Sequence, residues 1–473
     1  MKNILIHNAK IINEGKSFTG SVLIKDNFIE KIFREDVPEK VFSESQIIDG
    51  QGKWLLPGVI DTHVHFREPG LTQKADIYTE SRAAAAGGVT SFMDMPNTIP
   101  QTTTLALVEE KCRIAAEKSL INYSFYLGAT NNNLEEIKNA DPKKICGLKL
   151  FMGSSTGDML VDKREKLEEI FNASTMVTER SRSTLSNQQT TFSERSRTTP
   201  LMIATHCENS AIIAANAEKF KKEFPENDIP IKFHAEIRSE EACYQSTSLA
   251  VELAKKHNTR LHVLHLSTAK ELALFSDLPL KDKKITAETC IQYLWFDAND
   301  YETQGTKIKC NPAIKSKENK ETLLKSLNSN IIDTISTDHA PHLLTDKAGD
   351  ALSAVSGMPL IQHSLVAMLE LVKRGHLTRE KLVEKMCHNP ALLYNVSKRG
   401  FIRKGYFADL VLIDPNKNWT VSKENILSKC AWSPFENQQF STQVTHTFVN
   451  GGLVFENGVF DDNLRGERLA FDF

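Results

Sequence analysis

Val59-Ile60-Asp61-Thr62-His63-Val64-His65-Phe66-Arg67-Glu68-Pro69-Gly70 is the stretch from which the fold of this chain is read. It reads as a β-strand that runs out into a tight turn. Residues two apart on a strand share a face. Asp61, His63 and His65 therefore look one way, and Ile60, Thr62, Val64 and Phe66 look the other. Two imidazoles on one face at a strand end can grip a metal ion. Arg67 follows where the chain leaves the strand, a placement that suits a polar, anionic small molecule. Taken alone, the fragment reads equally well as a half-buried strand carrying two histidines, so any further ligands must come from elsewhere in the chain.

Downstream, the pattern alternates between strand and helix. Helical periodicity covers 72–86 and stops at Gly87-Gly88, a C-cap signal. Short apolar runs follow at 89–95, 121–129, 145–151, 201–206, 260–267, 285–290 and 331–336. Helical stretches fall at 105–118, 211–223, 239–257, 269–275, 359–374 and 379–385. With the opening strand this makes eight strands, and the expected fold is α/β, a (β/α)8 TIM-type barrel. Upstream, residues 1–56 read as short strands with turn signals at Asn13-Glu14-Gly15 and Lys25-Asp26-Asn27. Strand character returns at 409–413, 443–450 and 453–456, with Asn450-Gly451-Gly452 as a hairpin signal. The two ends are expected to form one small β-sandwich domain, from 1–56 and 399–473, beside a barrel at 57–398.

Composition narrows the function classes. The chain has 473 residues, 40% hydrophobic and 25% charged, as in an ordinary globular protein with a large core. A net charge of -2 gives no footprint for nucleic acid or an acidic membrane surface. No apolar run approaches the ~20 residues of a membrane span, and the first residues lack the features of a signal peptide. The 8 cysteines include no C-x-x-C pair and read as reduced, buried thiols of a cytoplasmic protein. One segment stands apart. Residues 174–199 are polar, without hydrophobic periodicity, and carry an imperfect repeat at 178–184 and 193–199. Between a helical stretch and a strand, they read as a mobile surface insertion in the barrel rather than a nucleic-acid tail.

Barrel enzymes carry their reacting residues at the C-terminal ends of the strands. The first strand gives His63 and His65, then Arg67, and the second gives Asn97. The fourth gives Lys149, the fifth His206, the sixth His265 and the eighth Asp338. Any one such histidine is most often structural, but four imidazoles and a carboxylate at one mouth point to a metal centre. His262 and His265 compete for one role, and His265 is nearer the strand end. His234 stays with the structural histidines, although its run, 233–238, is of a kind that lines a loop. Neutral histidines with an aspartate suit Zn2+ or a similar divalent ion. Five such ligands exceed the needs of one open site, so two ions ~3.5–4 Å apart are expected. Two ions need a bridge. An ammonium at Lys149 would repel them, whereas a Lys149 amine that has taken up CO2 is an anionic carbamate. The alternative is an ordinary strand-end lysine that pairs with substrate.

With these residues placed, the sequence resembles the dihydroorotases of the cyclic amidohydrolase superfamily. The resemblance is carried by Asp61-Thr62-His63-Val64-His65-Phe66-Arg67-Glu68-Pro69-Gly70, Met95-Pro96-Asn97-Thr98, Gly147-Leu148-Lys149-Leu150, Thr205-His206-Cys207-Glu208, His262-Val263-Leu264-His265-Leu266-Ser267 and Asp338-His339-Ala340-Pro341-His342. The paired histidines and the aspartate are common to the superfamily, and Arg-Glu-Pro-Gly is more particular to dihydroorotases. The resemblance implies one zinc on His63, His65 and Asp338 and a second on His206 and His265. Carboxylated Lys149 and a hydroxide would bridge them. It implies that Arg67, Asn97 and His342 hold the substrate carboxylate and that Asn311 contacts the pyrimidine ring. The hydroxide would attack the ring amide of dihydroorotate, and Asp338 would take its proton and pass it to the leaving nitrogen, giving N-carbamoyl-aspartate.

Two alternatives stand beside this reading. A hydantoinase- or allantoinase-like enzyme would share the metal ligands, but its substrates lack a carboxylate to match Arg67 and His342. A non-catalytic dihydroorotase-like partner subunit would not need the complete ligand set. The assembly is open, a homodimer included. Two segments depart from the family pattern: the insertion at 174–199, and Ser356-Gly357-Met358-Pro359-Leu360-Ile361-Gln362, where relatives carry a Gly-Leu-Glu type sequence. Gly153-Ser154-Ser155-Thr156-Gly157 has the composition of a mobile lid.

Overall fold

A computed structural model describes residues 3–153, 159–175, 200–225 and 228–473. The insertion expected at 174–199 lies outside the described residues except for Ser174 and Thr175, and Ser174 is still the buried last residue of the helix Arg164–Ser174. The lid expected at 153–157 lies outside them apart from Gly153. Five strands open the chain: β1 (Asn3–Asn13), β2 (Lys16–Lys25), β3 (Phe28–Phe33), β4 (Ser45–Asp49) and β5 (Trp54–Pro57). β1 pairs antiparallel with β2 through the two-residue turn Glu14-Gly15, where both residues have positive φ as a tight hairpin requires. β2 and β3 pair antiparallel across Asp26-Asn27, at the turn signal read from the sequence.

The barrel follows as β6 (Val59–Val64), β7 (Val89–Asp94), β8 (Asn122–Phe125), β9 (Leu127–Gly128), β10 (Leu148–Met152), β11 (Ile203–Cys207), β12 (Leu261–Val263), β13 (Ile285–Cys290) and β14 (Thr334–Ser336). Each pairs in parallel with its neighbour. β8 and β9 are one barrel strand interrupted at Tyr126, whose amide bonds back to Asp94 O at 3.1 Å. The ring closes where Val64 bridges His339 and the His65 amide donates to His339 O at 2.7 Å. β12 ends earlier than the apolar run 260–267 suggests, and His265, at φ 43°, turns the chain out of the extended region. The interior below the strand ends is packed with Met93, Tyr126, Ala204 and Leu264. The Tyr126 hydroxyl donates to Thr62 O at 2.9 Å and shares a 2.7 Å hydrogen bond with the Tyr394 hydroxyl. The barrel is therefore a filled core, with chemistry confined to its rim.

After the barrel come β15 (Leu410–Asp414), β16 (Trp419–Thr420), β17 (Gln439–Phe440), β18 (Gln443–Val449), β19 (Gly452–Glu456) and β20 (Val459–Phe460). β15 lies antiparallel to β5 and so joins the two chain ends. The result is one nine-stranded sheet in the order β20-β19-β18-β15-β5-β1-β2-β3, with β4 also on β1. The β3 edge curls back onto the segment that leads into β15: Ala408 N donates to Asn27 O at 2.9 Å, and Ile29 N to Tyr406 O at 2.9 Å. Ile6, Ile11, Val22, Leu410 and Phe448 fill the core this curl encloses. The end of the tail goes elsewhere. Residues 464–473 leave the sheet and run under the barrel, where Leu469 N donates to Tyr123 O at 2.8 Å and Leu469 and Phe471 plug the floor. All eight cysteines are free and buried. Among the described residues no helix is long and apolar enough to cross a membrane.

Candidate active site

The strand ends open on a cavity of about 230 Å³. His63, His65, Arg67, Asn97, Lys149, His206, His265, Asn311, Asp338 and His342, all singled out from the sequence, line it together with Phe151, Ala340, Ser356 and Gly357. His262 points away and bonds Thr286 Oγ1 at 2.8 Å. His234 is buried behind the cavity, where its Nε2 donates to Cys310 O at 2.9 Å.

The ligand atoms of His63, His65 and Asp338 all lie within 4.8 Å of one another. Asp338 Oδ1 is 3.3 Å from His63 Nε2 and 3.1 Å from His65 Nε2. His206 Nδ1 faces His265 Nε2 at 2.8 Å, and the buried His265 Nδ1 has no hydrogen-bond partner among the described residues. Burial lowers the pKa of all four imidazoles, most strongly for His65 and His265, so each is neutral and able to offer a lone pair at neutral pH. Burial raises the pKa of the Asp338 carboxyl. It pulls the Lys149 amine down to about 8, so an appreciable fraction is uncharged and nucleophilic at neutral pH. Neutral imidazoles converging on a carboxylate form a donor set that fits a divalent cation. A second cluster, His63, Glu288 and Cys290, is sealed behind the first, and burial holds the Cys290 thiol protonated.

The ligand side is braced from behind by residues the sequence reading passed over. Glu288, inside the seventh barrel strand, accepts from His63 Nδ1 at 2.8 Å, Thr62 Oγ1 at 3.0 Å and Ser336 Oγ at 2.6 Å. Glu208 accepts from His206 Nε2 at 2.8 Å and pairs with Arg238. Burial alone would raise the Glu208 pKa, but Arg238 and His206 hold it well below the carboxylate range. Asn97 Oδ1 accepts from His65 Nδ1 at 2.7 Å, which fixes that ring and leaves the Asn97 amide nitrogen for other work. A carboxylate inside an apolar strand, and a glutamate two residues beyond a histidine, were the signals available in the sequence.

The other side is cationic and loop-borne. Asp94 accepts from the Phe66 amide at 2.7 Å and pairs with buried Lys111, which pins the turn after β6. Gly70 belongs to that turn, with φ +84°, and a Cβ there would strike Ile99 O at 2.0 Å. Glu68 accepts from Ile77 N at 3.0 Å and so caps the helix Ile77–Ala86. Arg67 itself has φ 66°, and Asp338 has φ 50°. These left-handed conformations of non-glycine residues carry strain of the kind that clusters at functional sites. Arg67 donates from Nε to Pro341 O at 3.0 Å, and its Nη2 is 2.9 Å from His342 Nε2. Lys74 Nζ lies 3.0 Å from His342 Nδ1. Burial, then the cations Arg67 and Lys74, drive the His342 pKa far down. Arg67 is 6% exposed, and among the described residues no carboxylate comes within 4.0 Å of it. Asn311 and Ser356 meet at the same wall, with Ser356 Oγ donating to Asn311 Oδ1 at 3.0 Å.

Residues 54–454 match the Amidohydrolase family. The chain belongs to this family. A dihydroorotase of Methanosphaera stadtmanae is 30% identical over 458 residues, covering 97% of each chain. An allantoinase of Bacillus velezensis is 26% identical over 458 residues, covering 96% of this chain and 94% of that one. Among solved structures, L-hydantoinase from Arthrobacter aurescens matches with a TM-score of 0.88 at 27% identity, covering 99% of this chain and 100% of the other. The protein is thus a cyclic amidohydrolase with the barrel and β-rich portion of its relatives.

Proposed function

We propose that this amidohydrolase is a dihydroorotase, which opens the cyclic amide of (S)-dihydroorotate to N-carbamoyl-L-aspartate and closes it in reverse, a step of pyrimidine synthesis. The observation that carries the reading is Arg67: a buried guanidinium on the cavity wall that, among the described residues, has no carboxylate within 4.0 Å to pair with. A ring substrate that bears its own carboxylate supplies that partner, and a planar fork suits it.

His63, His65 and Asp338 would hold one Zn2+, His206 and His265 a second, with carboxylated Lys149 between them. Such ions, when bound, activate water at neutral pH and polarise the scissile carbonyl. The chain's own residues do the rest. Arg67 and the Asn97 amide bind the substrate carboxylate. Once the carboxylate draws on Arg67, His342 Nε2 is released from the guanidinium and its imidazole is able to donate to the same anion. Asn311 and the backbone at Gly357 face the ring. Asp338 takes the proton from the nucleophile and returns it to the departing ring nitrogen. Free, buried thiols support a reducing compartment such as the cytoplasm. The continuous sheet formed by both chain ends supports a division into a split β domain (1–56 and 399–473) and a barrel (57–398).

A hydantoinase-like reading has the structural likeness to L-hydantoinase in its favour. It leaves the Arg67 charge without a partner on the substrate. Parallel assays with dihydroorotate, hydantoin and allantoin separate the two. Dihydroorotate should give the highest kcat/KM, and preference for a ring without a carboxylate would overturn the proposal.

A further inference from the structure

Lys347 is 2% exposed and ends a single turn of 3-10 helix, Leu344–Lys347. Its ammonium meets three carbonyls: Lys309 O at 3.0 Å, Val355 O at 2.7 Å and Gly357 O at 2.8 Å. Burial pulls the Lys347 amine down to about 7, and the three carbonyls match the three donors of its ammonium form. The carbonyls belong to two segments far apart in sequence. One leads into Asn311, and the other contains Ser356 and Gly357, three residues that line the cavity.

The same two segments are stitched at further points. Gly357 N donates to Lys309 O at 2.9 Å. The Lys309 side chain, also buried, returns to Ala354 O. Ser356 Oγ reaches Asn311 Oδ1 at 3.0 Å. Gly357 sits at φ +125°, where a Cβ would lie 2.8 Å from Ala340 O and 3.0 Å from His342 Cδ2. The wall is thus held against Asn311 on one side and His342 on the other. Without Lys347 the Val355 and Gly357 carbonyls lose this donor, while Lys309 O keeps only Gly357 N, and such groups move to find new partners.

We propose that Lys347 is a positioning residue that sets the ring-facing wall of the cavity by tying the Asn311 segment to the 355–357 loop. This rests on the dihydroorotase reading only for the identity of the ring. Among the described residues the hydrogen bonds of the Lys347 side chain all go to main-chain carbonyls of 309, 355 and 357, so its removal acts on substrate binding and spares the metal side.

The test is Lys347→Met in the full-length, metal-loaded enzyme. Expected are a KM for dihydroorotate raised ~10-fold or more, a kcat lowered less than ~3-fold and unchanged metal content. A double-mutant cycle supplies the second readout. Asn311→Ala should raise KM strongly in the wild-type background and by several-fold less in Lys347→Met, because both act through one wall. Unchanged KM, loss of kcat with KM intact, or additive effects would each overturn the proposal. Should Lys347→Met not fold, the cycle between Asn311→Ala and Ser356→Ala takes its place, with non-additive KM effects expected and additive ones overturning. If the wild type prefers hydantoin or allantoin, the reading of the ring fails, and the same KM split measured on that ring still tests the clamp.

Discussion

The two halves of the cavity are built on different principles. The metal-ligand half stands on barrel strand ends, with His63, Lys149 and His206 inside β6, β10 and β11 and His65, His265 and Asp338 one or two residues past β6, β12 and β14. It is braced by ionised or amide oxygens, Glu288, Glu208 and Asn97, that fix ring nitrogens from behind. The substrate half stands on loops, with Arg67, Asn311, His342 and Gly357 outside any strand. It is braced by lysine ammonium groups on main-chain carbonyls. A strand-borne ligand cannot shift without moving the barrel, whereas a loop can be redrawn while the metal side stays put. The arrangement keeps hydrolysis and ring choice on separable supports.

The sharpest way to break this comparison is Asp338→Asn. If the strand half does the chemistry, kcat should fall ~10³-fold or more with the fold intact. Steady-state kinetics with a thermal melt checks this, and a kcat within tenfold of wild type would remove Asp338 as the proton carrier. Arg67→Met probes the other half. Loss of charge-assisted bonds worth ~1.5–3 kcal/mol should raise the KM for dihydroorotate by ~10- to 100-fold. Metal content by elemental analysis should not change, and a parallel loss of metal would show that the halves are not separable.

Glu208→Gln tests the bracing of the strand half. A side chain that orients a ligand histidine typically contributes ~10-fold or somewhat more to metal affinity. The variant should release part of its metal at chelator concentrations that leave the wild type loaded. Retention of metal equal to wild type would mean that His206 is held by its strand alone.

The same division decides what could be read in advance. The strand half follows from period-two alternation, because a residue near a barrel strand end has few places to point. Arg67 was legible as the neighbour of such an end, while Asn311 and His342 needed the family resemblance. Lys347 was not legible at all, since its role depends on residues 309 and 355–357 meeting in space. Glu288 is marked only by being a carboxylate inside a barrel strand, a signal that does not say which histidine it would brace. Short elements were drawn too regular. The helix expected at 269–275 is a 3-10 turn, Lys270–Leu274, and the strand expected at 121–129 breaks at Tyr126. In both places tertiary contacts override local propensity. The last residues, expected in the β sheet, instead supply Leu469 and Phe471 to the barrel floor, a long-range choice that their alternation alone does not specify.

The smallest effect concerns the support of the loop half in acid. His234 donates to Cys310 O directly before Asn311, and burial followed by the charges of Arg238 and Lys309 pushes its pKa down to about 3. An unfolded histidine titrates near ~6.5. Between these values the unfolded chain holds a proton that folded His234 refuses, so stability falls as the pH drops below ~6.5 and this loss is complete near the folded pKa. Glutamine keeps an N–H donor and has nothing to protonate. His234→Gln should therefore gain about 1 kcal/mol relative to wild type on going from pH 7.5 to 5.5. Urea unfolding of both proteins at the two pH values measures it. A difference that does not change with pH would remove His234 from the acid sensitivity of the loop half and shift attention to the buried imidazoles of the strand half, which burial also keeps neutral.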